Sequence, residues 1–136
     1  MHLSTPYQPN WYVVILPPMI LTMPWPPKEL SPNARLHYMA VYRAKSQYRE
    51  SCAWTAKSQG GKKLRADKIH VRLTFYPPSR RAIDLDNCLA RFKAGIDGLV
   101  DVLKVDDSKW EITIRKADEI GGFVRVEILD MHPPKE

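Results

Sequence analysis

The chain has 136 residues, of which 44% are hydrophobic, with a formal net charge of +6 and a pI of about 9.4. This length is typical of one domain with a substantial core, and the hydrophobic content argues against a disordered chain. The charge is uneven: residues 28–81 hold 13 Lys and Arg against 3 acidic residues, whereas residues 82–136 hold 8 against 12. This pattern is typical of a chain that binds a polyanion with one part and a cation with the other. On charge alone, a protein with many solvated lysines is an equally good interpretation.

The cysteines and the apolar N-terminal run exclude several classes of protein. Cys52 and Cys88 form no Cys-x-x-Cys pair and the four histidines are scattered, which argues against a disulfide framework or a zinc site. The apolar run at residues 11–16 is stopped by Pro17 and Pro18, far short of the ~20 residues that span a bilayer. No basic segment of a secretory signal precedes it. We expect a soluble, cytoplasmic protein with no membrane contact.

The first half of the chain predicts a strand and a long helix. Residues 20–23 are typical of a short strand, which the prolines of residues 24–27 end. Residues 28–37 have loop chemistry, and residues 39–57 predict an amphipathic helix that ends before Gly60 and Gly61. Its expected apolar side contains Tyr42, Tyr48, Cys52 and Trp54, and its basic side contains Arg43, Lys45, Arg49 and Lys57.

The second half predicts three strands and another helix. Residues 68–76 alternate apolar and polar side chains, as expected for a half-buried strand. Asp86 or Asn87 should cap a second helix that continues to about residue 102. Residues 110–115 and 123–128 predict two more strands, and the two glycines between them favour a hairpin. The expected apolar stripe of the second helix is Leu85, Leu89, Phe92, Ile96, Leu99 and Leu103.

The order of these elements predicts the fold class. Strands and helices in the order β-α-β-α-β-β give an α+β single domain, a mixed β-sheet with two helices packed on one face. We place this domain at residues 19–132, with a tail at 133–136. Residues 1–18 are expected to be an N-terminal extension, either disordered or the product of a misassigned start codon.

Acidic residues cluster at two places in the second half. Asp84 and Asp86 follow directly on the basic pair Arg80 and Arg81, and Asp106-Asp107 follows about twenty residues later. Carboxylates repel one another, so a fold gathers several of them when a cation lies between them. Mg²⁺ and Mn²⁺ prefer such oxygen ligands. The clusters therefore predict a metal site in a protein that acts on a phosphate polymer.

The helical spacing adds further charged residues to this expected site. At about 100° per residue, Asp86, Lys93 and Asp97 share one side of the helix, apart from the apolar stripe. Phosphodiester hydrolysis uses carboxylates to bind the ion and a lysine to offset transition-state charge. Arg80 and Arg81 could hold phosphates near the site. Each feature also has a structural explanation: an Asp caps a helix, Lys93 and Asp97 form a surface ion pair, and Asp106-Asp107 belongs to a turn.

Four motifs in this order resemble the RusA-type Holliday junction resolvases. They are LTMPWPP at 21–27, RRAIDLDN at 80–87, KAGIDGL at 93–99 and VDD at 105–107. The resemblance covers roughly residues 20–130. It implies a homodimeric, Mg²⁺-dependent endonuclease of phage or prophage type that cuts four-way DNA junctions in recombination and repair, with Mn²⁺ able to substitute. It implies no small-molecule substrate, and places the protein in the cytoplasm of a bacterial host cell.

The resemblance also implies roles for individual residues. The metal-binding and catalytic aspartates would be Asp84, Asp86 and Asp107, with Lys93 as the catalytic lysine. Supporting residues would be Asn87, Asp97 and Asp106, and the expected DNA contacts are Arg35, Lys57, Arg80 and Arg81. A two-fold symmetric junction that receives paired nicks also favours a C₂ dimer on geometric grounds.

The position of the lysine departs from the family pattern. In that pattern the lysine follows the Asp-x-Asp-Asn motif by three residues, where this chain has Ala90. Alignment from Asp97 backwards selects Lys93 and implies a three-residue insertion at the helix start, and Arg91 is the rival for this role. Two other functions stay open: a non-catalytic nucleic-acid-binding protein, and a metal-dependent nuclease of other specificity.

Overall fold

The computed structural model describes residues 18–134 and shows an α+β fold with one mixed four-stranded sheet and two helices. The predicted element order is confirmed, and strand β4 is the one element that extends well beyond its predicted bounds. Most of the expected extension at residues 1–18, and residues 135–136 of the expected tail, lie outside the described residues. The elements are β1 (Met19–Pro24), α1 (Tyr38–Ser58), β2 (Lys68–Tyr76), α2 (Leu85–Leu103), β3 (Trp110–Lys116) and β4 (Phe123–His132), with short 3-10 turns at Lys28–Leu30 and Asp107–Lys109.

The strands lie in the order β1-β4-β2-β3. Strand β4 is antiparallel to both β1 and β2, whereas β3 is parallel to β2. The predicted hairpin between the last two strands is therefore wrong, because β2 lies between them. After β3 the chain crosses the end of β2, where the backbone N–H of Gly121 donates to the carbonyl of Pro77 (2.9 Å) and that of Gly122 to the carbonyl of Tyr76 (2.7 Å). The glycines do form a turn, but this turn brings β4 beside β2 and not beside β3.

The two helices share one core with a single face of the sheet. Along β2, the side chains of Ile69, Val71, Leu73 and Phe75 point to this core and are at most 1% exposed. The alternation in the sequence predicted this half-buried strand. Within residues 18–134, no helix is long and apolar enough to cross a membrane.

Helix α1 packs through a narrow row of small and medium side chains. The buried residues are Tyr48, Cys52 and Ala56, spaced by four residues along one side of the helix. Tyr42 and Trp54 were expected in the core, and this is wrong: they are 68% and 66% exposed. Both lie off the four-residue row, so the packed surface of α1 does not include them.

Helix α2 carries the predicted apolar stripe. Phe92, Ile96, Leu99 and Leu103 are at most 3% exposed, and the two leucines nearest its start pack against the same core. The helix begins at Leu85, slightly earlier than predicted, with Asp84 at the N-cap position. The expected capping role of Asp86 is therefore wrong, since this residue lies in the first turn.

The two helices approach most closely at Gly98. A Cβ atom at this position would meet the backbone oxygen of Arg49, and would lie 3.1 Å from the Cβ of Cys52. Near this crossing, the guanidinium of Arg49 forms two hydrogen bonds with the carboxylate of Asp101, at 2.7 and 2.8 Å. Glycine at this position lets α1 lie directly on α2, which fixes the groove between their exposed sides.

Candidate functional site

The Lys93 ammonium joins two acidic segments of the chain. Its Nζ donates to Asp97 Oδ1 (2.8 Å), one helical turn away, and to Asp107 Oδ2 (2.9 Å), beyond the end of α2. The three side chains are partly exposed, at 58%, 37% and 36%. Hydrogen bonding to Asp97, and secondarily to Asp107, raises the pKa of Lys93. Lys93 is therefore a protonated cation at neutral pH.

The neighbouring aspartates after α2 have different contacts. The carboxylate of Asp106 accepts hydrogen bonds from the hydroxyl and the backbone N–H of Ser108, and so caps the 3-10 turn. The hydroxyl bond is the main reason that the pKa of Asp106 is lowered. Asp107, one residue later, points to Lys93 instead. The turn interpretation thus describes both residues, and Asp107 in addition belongs to the charged cluster.

Asp84 and Asp86 lie at the start of α2, and both are exposed. Asp84 occupies the N-cap position, yet its side chain makes no capping hydrogen bond. Asp86 precedes Lys93 by seven residues, so the two lie on the same side of the helix, about 10 Å apart along its axis. The loop before Asp84 is held by Lys116 at the end of β3, whose Nζ donates to the carbonyl of Ile83 (3.0 Å).

The three aspartates expected to bind metal are not gathered into one cluster. In the described part of the chain, no three His, Cys, Asp or Glu side chains lie together so as to hold a metal ion. Carboxylate oxygens are the ligands that Mg²⁺ prefers, so the donor chemistry fits this ion. A shared magnesium site on Asp84, Asp86 and Asp107 stays a prediction.

Arg91 and Lys93 have separate surroundings, although both were considered for the same role. The Arg91 guanidinium donates to the carbonyl of Pro26 (2.8 Å) and lies 5.9 Å from the centre of the Trp25 ring. Trp25 in turn packs edge-on against Phe75 in the core. Arg91 therefore attaches the Pro-Trp-Pro-Pro segment to α2, whereas Lys93 contacts the carboxylates.

The expected DNA contacts are spread over several surfaces. Arg80 and Arg81 are exposed in the segment between β2 and α2, and Arg81 lines a cavity of about 450 Å³ together with Asp84 and Asn87. Arg35 is exposed just before α1. Lys57 is exposed near the end of α1, a separate surface from Arg80 and Arg81.

Sequence reasoning did not anticipate the groove between α1 and α2. A cavity of about 600 Å³ lies between the helices, with Tyr42 and Lys45 on the α1 side and Lys93 and Asp97 on the α2 side. Tyr42 had been assigned to the core. Its position outside the row of Tyr48, Cys52 and Ala56 was the signal that could have placed it on the surface.

Comparison with known proteins identifies a similar protein, but its description states no activity. No family model matches the chain. A protein of Xylella fastidiosa (strain Temecula1), described as uncharacterized, is 42% identical over 93 residues. The match covers 66% of this chain and 61% of the relative, so the chain spans about three fifths of the length of that protein.

Proposed function

We propose that this protein is a metal-dependent endodeoxyribonuclease that resolves Holliday junctions in the manner of the RusA-type enzymes. The observation that carries the proposal is the contact of Lys93 with Asp97 and Asp107, which brings two of the four family-like motifs into one charged cluster. A cation between carboxylates beside a basic groove suits a reaction in which negative charge builds up on a phosphate.

The contacts of Lys93 indicate its role in such a reaction. An ammonium held between two carboxylates is a poor general base and a good electrostatic group, so we assign it to stabilising the charged phosphoryl oxygens. Asp97 would act as a positioning residue, because its carboxylate holds the ammonium. Asp84, Asp86 and Asp107 would bind Mg²⁺, which supplies a more acidic water and charge neutralisation when it is present.

The proposed substrate and assembly follow from symmetry and charge. A four-way junction has approximate two-fold symmetry, so a homodimer would present one site to each of two opposed strands. Exposed cations such as Arg35, Arg80 and Arg81 would contact phosphates along the arms, and the affinity should fall steeply as salt rises. We place this activity in the cytoplasm of a bacterial host cell.

The proposal is tested with Asp86→Asn and Lys93→Met on a labelled four-way junction. We expect both variants to bind the junction in EDTA and to lose cleavage in Mg²⁺ or Mn²⁺, with the Lys93→Met rate lower by about a hundredfold or more, as when other charge-stabilising groups are removed. Asp130→Asn is the matched control, since Asp130 is an exposed β4 carboxylate outside the charged cluster. Cleavage by Asp86→Asn at the wild-type rate would refute the site.

A second candidate function is non-catalytic nucleic-acid binding. It is favoured by the lack, within residues 18–134, of three carboxylates placed together so as to hold a metal ion. Junction binding without any metal-dependent nicking would support this candidate. A panel of junction, fork, flap and plain duplex separates a resolvase from a nuclease of other specificity, because a resolvase makes paired symmetric nicks in the junction alone.

A further inference from the structure

The exposed side of α1 combines aromatic and cationic side chains. Tyr42 and Trp54 are 68% and 66% exposed, and Lys45, Arg49 and Lys57 lie in the same stretch of the helix. Exposed apolar surface that is bordered by polar side chains commonly marks an interaction site. The Nζ of Lys57 lies 5.4 Å from the centre of the Trp54 ring, so cation and aromatic surface form one patch.

These side chains line two adjoining depressions between α1 and α2. The first, of about 600 Å³, includes Tyr42 and Lys45, and the second, of about 350 Å³, includes Trp54 and Lys57. Ser46 and Arg49 line both, so the two depressions adjoin along α1, and together they are called the groove below. The twelve residues from Tyr42 to Trp54 correspond to about 18 Å along a helix axis, enough for several nucleotides.

Apart from the side chains that form ion pairs with each other, the charged residues of the groove are mainly cationic. Its α2 wall contributes Asp97, which is paired with Lys93, and Asp101, which is paired with Arg49. The lining then leaves Lys45 and Lys57 with a single further carboxylate, that of Glu50. This charge complements a phosphate backbone.

We infer that this groove binds single-stranded nucleic acid, with bases stacked on Tyr42 and Trp54 and phosphates held by Lys45 and Lys57. Exposed aromatic faces favour unpaired bases, because the bases of a duplex are already stacked on one another. The groove reaches Lys93 at one end, so under the proposed function it would guide an unpaired strand to the charged cluster. The binding itself requires no cleavage, and only this guiding role rests on the proposed function.

The test is binding of the full chain, in EDTA, to a labelled oligo-dT and to an abasic oligonucleotide of the same length. We expect oligo-dT to bind more tightly, since it adds stacking to the same phosphates. Tyr42→Ala or Trp54→Ala should weaken oligo-dT binding about fivefold or more and leave abasic binding unchanged. Lys45→Ala should weaken both and reduce their salt dependence. Ile20→Ala is the control, since this exposed β1 side chain lies outside the groove linings.

Several results would overturn the inference. Equal binding of oligo-dT and the abasic chain excludes stacking, as does an unchanged affinity in both aromatic variants. If these variants alter the sedimentation of the protein but not its oligonucleotide binding, the face is an interface between copies of the chain. Binding that behaves as expected in a protein that cuts no junction would support this inference and refute the proposed nuclease.

Discussion

The substitution Gly98→Ala tests the helix crossing that shapes the groove. On an exposed helix this change would stabilise the protein by about 1 kcal/mol, because alanine has the higher helix propensity. Here the added methyl group would clash with the backbone oxygen of Arg49 and lie 3.1 Å from Cys52 Cβ and 3.2 Å from the amide nitrogen of Ala53. Overpacking in a core costs about 1–3 kcal/mol, and a backbone atom cannot rotate away as a side chain can. Because the clash is with backbone, we take the upper end of this cost, and after the gain in helix propensity we expect a net loss of about 2 kcal/mol.

Urea unfolding followed by circular dichroism measures this effect. With a slope of about 2 kcal/mol per molar urea, the Gly98→Ala midpoint should fall by roughly 1 M. Ala90→Gly is the control, since Ala90 is exposed on the same helix and should lose only the propensity difference of about 1 kcal/mol. The sign is decisive: a higher midpoint for Gly98→Ala would show that α1 and α2 do not approach as closely as described.

Two further predictions concern a partly buried arginine and two buried cysteines. Arg91→Met keeps the aliphatic stem but removes the donor to the Pro26 carbonyl, so the free energy of unfolding should fall by about 1.5 kcal/mol in the same urea assay; an unchanged midpoint would contradict this attachment. Cys52 and Cys88 are both fully buried, and burial raises the pKa of Cys52 to about 11 and that of Cys88 above its usual value. Since thiolate is the reactive form, the folded protein should not react with a disulfide reagent at neutral pH, whereas unfolding in urea should release both thiols; rapid labelling of the folded chain would contradict the burial.

Local periodicity accounts for what the sequence predicted well. The alternation of residues 68–76 and the stripe from Leu85 to Leu103 follow from the geometry of a single strand or helix. Strand pairing is different, because it depends on which neighbour a strand finds. Gly121 and Gly122 indicated a turn, but the turn does not specify that β2 accepts β3 on one edge and β4 on the other. The segment β2-α2-β3 was itself a clue, since strands joined through a helix are commonly parallel.

The candidate site shows the same division between local and distant contacts. The pairing of Lys93 with Asp97 could be predicted from helical spacing. The contact of Lys93 with Asp107 depends on how the chain leaves α2, and the separate contacts of Asp106 and Asp107 depend on one 3-10 turn. Residue type alone could not place Tyr42 on the surface, whereas its helical position relative to Tyr48, Cys52 and Ala56 could have done so.

The position of β4 has a consequence for how the polypeptide matures. Residues 123–132 separate β1 from β2 in the sheet, although both of those strands leave the ribosome much earlier. Until β4 emerges, each of them lacks an inner neighbour and exposes apolar side chains, among them Leu21 and Leu73. Closure then joins segments about a hundred residues apart, a high contact order that slows folding. Nascent chains stalled before Phe123 should therefore be open to proteases and chaperones.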